Sequence, residues 1–185
     1  MDSDLRIKIK TVAVDHFNNN GYHGATIRNI AKDVNCSLPM VYYYFNSKKE
    51  LFHEIIKRDY FQLLDRHSKQ INNTDVVEFY TQYVYKLNNL SDYDKKIFRL
   101  GVKVNLSFEG DEELREVMDE WEKSLIPWHF QRIMPQLGDV GNWIVVIRTL
   151  IHLIDNLIET IVVKNRYLSE EAIREDIRII LDKAR

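Results

Sequence analysis

The chain has 185 residues, 26 Lys plus Arg against 28 Asp plus Glu, a formal charge of −2, and 45% apolar and 29% charged residues. That length supports one domain, or a small module joined to a larger one, and the composition excludes a disordered chain. No apolar stretch approaches the roughly 20 residues of a membrane span, the acidic start Met1-Asp2-Ser3-Asp4 is not a signal peptide, and the lone Cys36 gives neither an internal disulfide nor a zinc cluster. A cytoplasmic protein is expected.

The charge is unevenly spread. Residues 1–58 carry 9 basic and 6 acidic side chains, net +3, and the remaining 127 carry 17 and 22, net −5. A mildly basic head on an acidic body suggests that only the head meets a polyanion.

Helical spacing runs through the chain, with no convincing alternating strand. Ile9, Val12, Ala13, His16 and Phe17 form the stripe of a first helix, with Gly21 as its C-terminal cap. Thr26 can N-cap a short second helix that turns Ile27, Ile30, Ala31 and Val34 inward. Ser37 can N-cap a third, with Pro39 tolerated in its first turn. Ser47-Lys48-Lys49-Glu50 is a capping box that opens a long fourth helix through Leu51, Phe52, Ile55, Ile56, Tyr60, Phe61 and Leu64. Five more helices are expected at roughly 74–88, 92–107, 111–134, 141–164 and 169–184, with Pro127 bending or breaking the 111–134 helix.

Three short helices within about fifty residues, the last two joined by a tight turn, permit a helix-turn-helix. The run Phe17-Asn18-Asn19-Asn20-Gly21-Tyr22-His23-Gly24-Ala25-Thr26, then Ile30-Ala31, Val41-Tyr42-Tyr43-Tyr44-Phe45, Lys48 and Leu51 closely resembles the N-terminal domain of the tetracycline-repressor (TetR) family. The resemblance covers about residues 7–52; beyond it only helix number and length are similar. It implies an all-α fold of about nine helices. Residues 1–46 would form the DNA-binding domain and 47–185 an effector-binding and dimerisation domain. It further implies a homodimer that binds a palindromic double-stranded DNA operator and responds to a small-molecule effector.

The residues of the head have physical readings of their own. Thr26 sets a helix N-terminus where a phosphate can sit, and the hydroxyls of Tyr42 and Tyr43 suit phosphate oxygens. Lys48 lies in the first turn of its helix, where the dipole disfavours it, and a phosphate partner would explain that. Leu38, Pro39 and Met40 occupy the positions where base-reading side chains are expected. None can make a bidentate base contact, so an A/T-biased operator read by methyl contacts and DNA shape is expected, with Arg28 as the main polar contact. With Ser37, these residues form the expected DNA-binding set. Asn35 in the turn tolerates left-handed backbone, and Cys36 reads as a small buried hydrophobe.

In the body, Ile144, Ile147, Ile151, Ile154, Ile158 and Ile161 recur at 3-4-3-4-3 spacing, with Val146, Leu150, Leu153 and Leu157 as a second stripe. One stripe can bury within the subunit and the other against a partner. With Ile173, Ile177 and Leu181 of the last helix, the isoleucine seam through Ile144, Ile147, Ile151, Ile154 and Ile158 is the expected dimer interface. The aromatic-rich stretch between them is expected to include a pocket for an apolar or aromatic effector, with Tyr60, Phe61, Tyr83, Phe98, Trp121, Trp128 and His152 as candidates. No Gly-rich phosphate loop, Gly-x-Ser-x-Gly elbow or His-x-x-x-His occurs. The reading is therefore a repressor with no catalysis, cofactor or metal. A regulator that needs no effector is the alternative, and a helical enzyme or metal-binding protein using His152, Asp155 and Glu159 is a second.

Overall fold

In the computed structural model, residues 2–107, 112–138 and 141–182 are described. The fold is all-α, and no strand occurs among these residues. The helices in chain order are α1 (Asp2–Gly24), α2 (Ile27–Val34), α3 (Leu38–Tyr44), α4 (Lys48–His53), α5 (Phe61–Lys69), α6 (Val76–Tyr85), α7 (Asp92–Ser107), α8 (Glu112–Leu137), α9 (Trp143–Ile158) and α10 (Glu170–Asp182). A π-helical run, Glu54–Tyr60, lies between α4 and α5, and another, Glu159–Val163, follows α9. Two compact units result: Met1–Leu64 with Ser91–Val117, and Asp65–Leu90 with Met118–Arg185.

The first unit is built around α1. Its inner stripe, Ile9, Ala13 and Phe17, is buried with Ile30, Val34, Val41, Phe45, Leu51 and Phe52. Gly21 leaves helical geometry at φ 67°, ψ 175° and ends the regular part of α1, as expected of a capping glycine. A charged network ties α1 to the start of the π-helical run. Arg6 hydrogen-bonds Glu54, Lys10 lies 3.2 Å from the Glu54 carboxylate, and Lys10 also reaches Asp59 at 2.7 Å.

Against that run packs α7, at a point where only glycine fits. A Cβ at Gly101 would fall 2.5 Å from Cδ2 of the buried Tyr60 ring. In an exposed helix Gly→Ala stabilises by about 1 kcal/mol. Here the sign should reverse. We expect Gly101→Ala to lower the unfolding free energy by about 1–3 kcal/mol, the usual cost of overpacking. A urea melt showing the Ala variant equal to or above wild type would contradict this close packing.

The second unit packs α6 against α10 and α9. Ile173, Ile177 and Leu181 of α10 are buried with Phe79, Tyr80 and Val84 of α6 and Ile147, Leu150, Ile154 and Leu157 of α9. Arg174 joins the layers at their edge, taking Glu78 at 3.1 Å and also Glu170 one turn earlier, the i, i+4 pair the sequence presents. Pro127, expected to bend or break this helix, does not end it: α8 runs through both Pro127 and Pro135. Buried Met118, His129 and Ile133 on either side hold the helix and offset the hydrogen bond that each proline removes.

Candidate nucleic-acid interface

The head presents α3 by local rules that begin with capping. Thr26 has extended backbone, and its hydroxyl accepts a hydrogen bond from Asn29 N at 3.2 Å, starting α2. Four apolar residues of α2, Ile27, Ile30, Ala31 and Val34, are buried. Asn35 then takes left-handed angles, φ 60° and ψ 47°, and Cys36 N donates to Ala31 O at 3.0 Å. This left-handed step lets α3 start immediately, at an angle to α2, with Pro39 in its first turn.

Only one residue of α3, Val41, is buried. Met40, Tyr42 and Tyr43 are exposed, Tyr43 at 71%. A seven-residue helix held by one core side chain while showing two tyrosines and a methionine to solvent is poor packing for its own sake. It is a face that a partner would cover. Pro39 is exposed beside them, Leu38 is half-buried, and the exposed Ser37 forms no side-chain cap bond. Arg28 and Lys32 on α2 are exposed cations.

Lys48 behaves differently from the sequence expectation. Its ammonium donates to the carbonyl oxygens of Tyr22 at 2.8 Å, Ala25 at 3.1 Å and His23 at 3.5 Å, and lies 4.5 Å from the centre of the Tyr22 ring. The three donors of an ammonium are thus directed at the end of α1, where the helix dipole favours a cation. Lys48 fixes the start of α4 on α1, which is a positioning role, and the phosphate explanation for its placement is not needed. Beside it, Ser47 accepts from Glu50 N at 3.0 Å, and the Glu50 carboxylate accepts from Asn46 N at 3.1 Å, one residue before the partner of an ideal capping box.

Residues 9–55 match the family described as bacterial regulatory proteins, tetR family. Over this stretch the chain is similar to the TetR family. A relative from Staphylococcus aureus (strain Newman), the biofilm operon icaADBC HTH-type negative transcriptional regulator IcaR, is 27% identical over 103 residues, 55% of this chain and 54% of that protein. The match thus spans about half the length of such relatives. Among solved structures, a TetR-family regulator from Bordetella parapertussis 12822 superposes with TM-score 0.72 at 18% identity, covering 96% of this chain and 94% of the other. A gamma-butyrolactone receptor (ArpA like protein) gives TM-score 0.71 at 19% identity, with 98% and 88% covered. These structural likenesses extend the fold of the family to the whole chain, including the body that sequence resemblance leaves open.

One expectation for the body needs correction. Of the eight residues assigned to a dimer seam, Ile147, Ile154, Ile158, Ile173, Ile177 and Leu181 are buried inside the subunit, Ile151 is half-buried, and only Ile144 is exposed. The heptad of isoleucines faces α6 and α10 of its own chain, where burial is gained without a partner. The seven residues proposed for a pocket divide between the two units. Tyr60, Phe61 and Phe98 belong to the first unit, where Tyr60 and Phe98 are core rings 5.7 Å apart. Tyr83, Trp121, Trp128 and His152 belong to the second, and His152 is exposed on α9. As for the metal reading, no group of three or more His, Cys, Asp or Glu side chains that could hold an ion occurs among the described residues.

The second unit does contain a polar–aromatic cluster that the sequence reading passed over. The Tyr80 hydroxyl and His129 Nδ1 lie 2.5 Å apart, both side chains buried. Burial, and secondarily the charge of Arg132, push His129 down to about 4, so the ring is neutral near pH 7. Arg132 itself lies on aromatic rings, its guanidinium 3.7 Å from the centre of Phe79 and 4.9 Å from that of Trp128. The signal was present in the sequence: Trp128, His129 and Arg132 share one face of α8 at i, i+1, i+4.

Proposed function

We propose that the chain is a cytoplasmic, dimeric, DNA-binding transcriptional repressor released from its operator by a small molecule. The observation that carries the reading is α3, which spends one residue on the core and exposes Pro39, Met40, Tyr42 and Tyr43. This helix enters the major groove, and its apolar and phenolic side chains read thymine methyls, groove shape and phosphates. Thr26 and Arg28 at the start of α2, with Ser37, contact the flanking backbone. Lys48 contributes by holding α4 to α1. The functional boundary between DNA-binding and effector-binding parts lies at 46/47. Partners of the family support a repressor, IcaR being a negative transcriptional regulator by name.

Twofold symmetry suits a palindromic operator. The dimer seam lies on the face of α9 and α10 turned away from the subunit core. On α9 this face carries Ile144, Val145, Arg148, Thr149, His152 and Asn156, and on α10 Ala172, Asp176 and Ile179, all exposed. Val145 at 55% and Ile179 at 47% exposure are the apolar contacts a second copy would cover.

Selection from random-sequence duplexes at two salt concentrations tests the reading, with Arg28→Ala and Tyr43→Ala beside wild type. An A/T-rich palindrome should emerge. Arg28→Ala should bind it with a salt slope shallower by about 1 per subunit, and Tyr43→Ala should weaken it without unfolding the protein. No enrichment, or three indistinguishable proteins, would overturn the DNA-binding assignment. Effector and operator must also weaken each other equally, typically by a factor of about 5–150; an effector indifferent to operator would leave a regulator without a switch.

A further inference from the structure

We propose that Arg132 anchors an organic carboxylate, a small ligand with one carboxylate on an apolar or aromatic body, in the second unit. The proposal rests on the effector-responsive reading above and names the chemistry of the effector. Its basis is an unmatched cation. Arg132 forms no hydrogen bond or ion pair among the described residues; its guanidinium has only the rings of Phe79 and Trp128. Arg174 of the same unit shows the contrast, with Glu78 and Glu170 both on its donors.

Stacking uses the faces of a guanidinium and leaves its five N–H groups pointing outward in the ring plane. They are oriented in advance, so little rotational freedom remains to be lost on binding. The polar neighbours cannot neutralise the charge. His129 is neutral, and burial holds the Tyr80 phenol protonated, with Arg132 the cation that bears on both. Arg132 is the cation beside these two groups, while the Asp155 carboxylate bears on Tyr83 at the far side of Phe79. A planar fork with a single charge matches a carboxylate bidentately, whereas a phosphate dianion would call for a second cation. The apolar body follows from the bed itself. Phe79 is stacked against Tyr83 at 6.3 Å, and Trp128 keeps 39% of its surface exposed beside the guanidinium. Arene or alkyl groups would cover that surface.

The test titrates the full chain with octanoate and with phenylacetate, each beside its primary amide, and with inorganic phosphate. Tryptophan fluorescence and melting temperature are read, and Arg132→Gln and Arg132→Lys are run in parallel. Both acids should saturate wild type and raise its melting temperature. Each amide should bind at least about tenfold more weakly, as expected when a charge-assisted pair is lost. Arg132→Gln should lose the acids by a similar factor while melting near wild type without ligand, and Arg132→Lys should fall between, keeping the charge but losing the fork. Amides equal to acids, Arg132→Gln equal to wild type, neither acid saturating by about 1 mM, or phosphate outcompeting both acids would each overturn the proposal. Operator selection repeated on Arg132→Gln separates the two readings. DNA selection intact with no acid binding removes the anchor alone; acid binding through Arg132 with no DNA selection removes the regulator and leaves the site.

Discussion

Replacing Glu54 by Leu is expected to lower the unfolding free energy by about 2–3 kcal/mol, read as a lower urea midpoint at unchanged slope. The side chains of Glu54, Lys10 and Asp59 keep only 15%, 12% and 14% of their surface, so the network has been taken out of water. Burial alone would raise the Glu54 carboxyl, but hydrogen bonds from Arg6 and Lys10 outweigh it and hold Glu54 below the ordinary carboxylate range. Without Glu54, Arg6 loses its carboxylate partner and Lys10 keeps Asp59 alone. The cost is set by that leftover charge more than by the bonds removed. Arg6 is one-third exposed and can recover some hydration, which keeps the figure below that of a fully buried pair. Glu54→Leu with Arg6→Leu should therefore cost less than the two single changes added together. Arg6 also lies 4.9 Å from the ring of Phe45, the residue that ends α3. Loss of the network thus reaches the helix proposed to read DNA. A single variant as stable as wild type would mean that the network contributes nothing net.

What was legible in the sequence is what local chemistry decides. Thr26 and Ser47 start helices because a hydroxyl one residue ahead of an apolar run can satisfy an orphan amide, and both hydroxyls do so. Gly21 and Asn35 end helices because they tolerate positive φ, and both adopt it. The burial of Ile9, Phe17, Ile30, Val41 and Phe45 follows from periodicity in the same way. What was not legible lies at α9, Lys48 and Arg132, where the answer depends on what another element brings. Helix α9 has apolar residues on both of its stripes, and nothing in its own sequence says which one α6 and α10 will cover. The first turn of α4 gives Lys48 no local partner; its partners are carbonyls more than twenty residues away. Arg132 gains its meaning from Phe79, about fifty residues earlier in the chain, whose ring lies beneath it.

Between pH 6.5 and 4 the second unit should lose stability steadily, and His129→Gln should remove most of that loss. His129 is pushed down to about 4 by burial and by Arg132, from an unfolded value near 6.5. His67 is lowered too, chiefly by burial, against the pull of a hydrogen bond with Tyr83 O at 2.7 Å. For a histidine shifted downward, the unfolded chain takes up a proton that the folded one refuses. Its stabilisation is therefore complete above pH 6.5 and declines as pH falls toward the folded value. For His129 the loss amounts to about 2 kcal/mol at pH 5. Carboxylates held low by their partners, Glu54 and Glu78, lose their contribution only below about 4.5, whereas burial raises the Asp155 carboxyl to about 6, so that Asp155 takes up its proton more readily folded than unfolded and offsets part of the histidine loss. Gln at position 129 keeps an oxygen to accept from the Tyr80 hydroxyl and takes up no proton. Melting temperatures measured from pH 7.5 to 4.5 should then fall much less for His129→Gln than for wild type down to pH 5, with His67 and Asp155 contributing in opposite directions. An unchanged slope would show that His129 takes up its proton in the folded state as easily as in the unfolded one. That could happen only if the Tyr80–His129 pair were open to water.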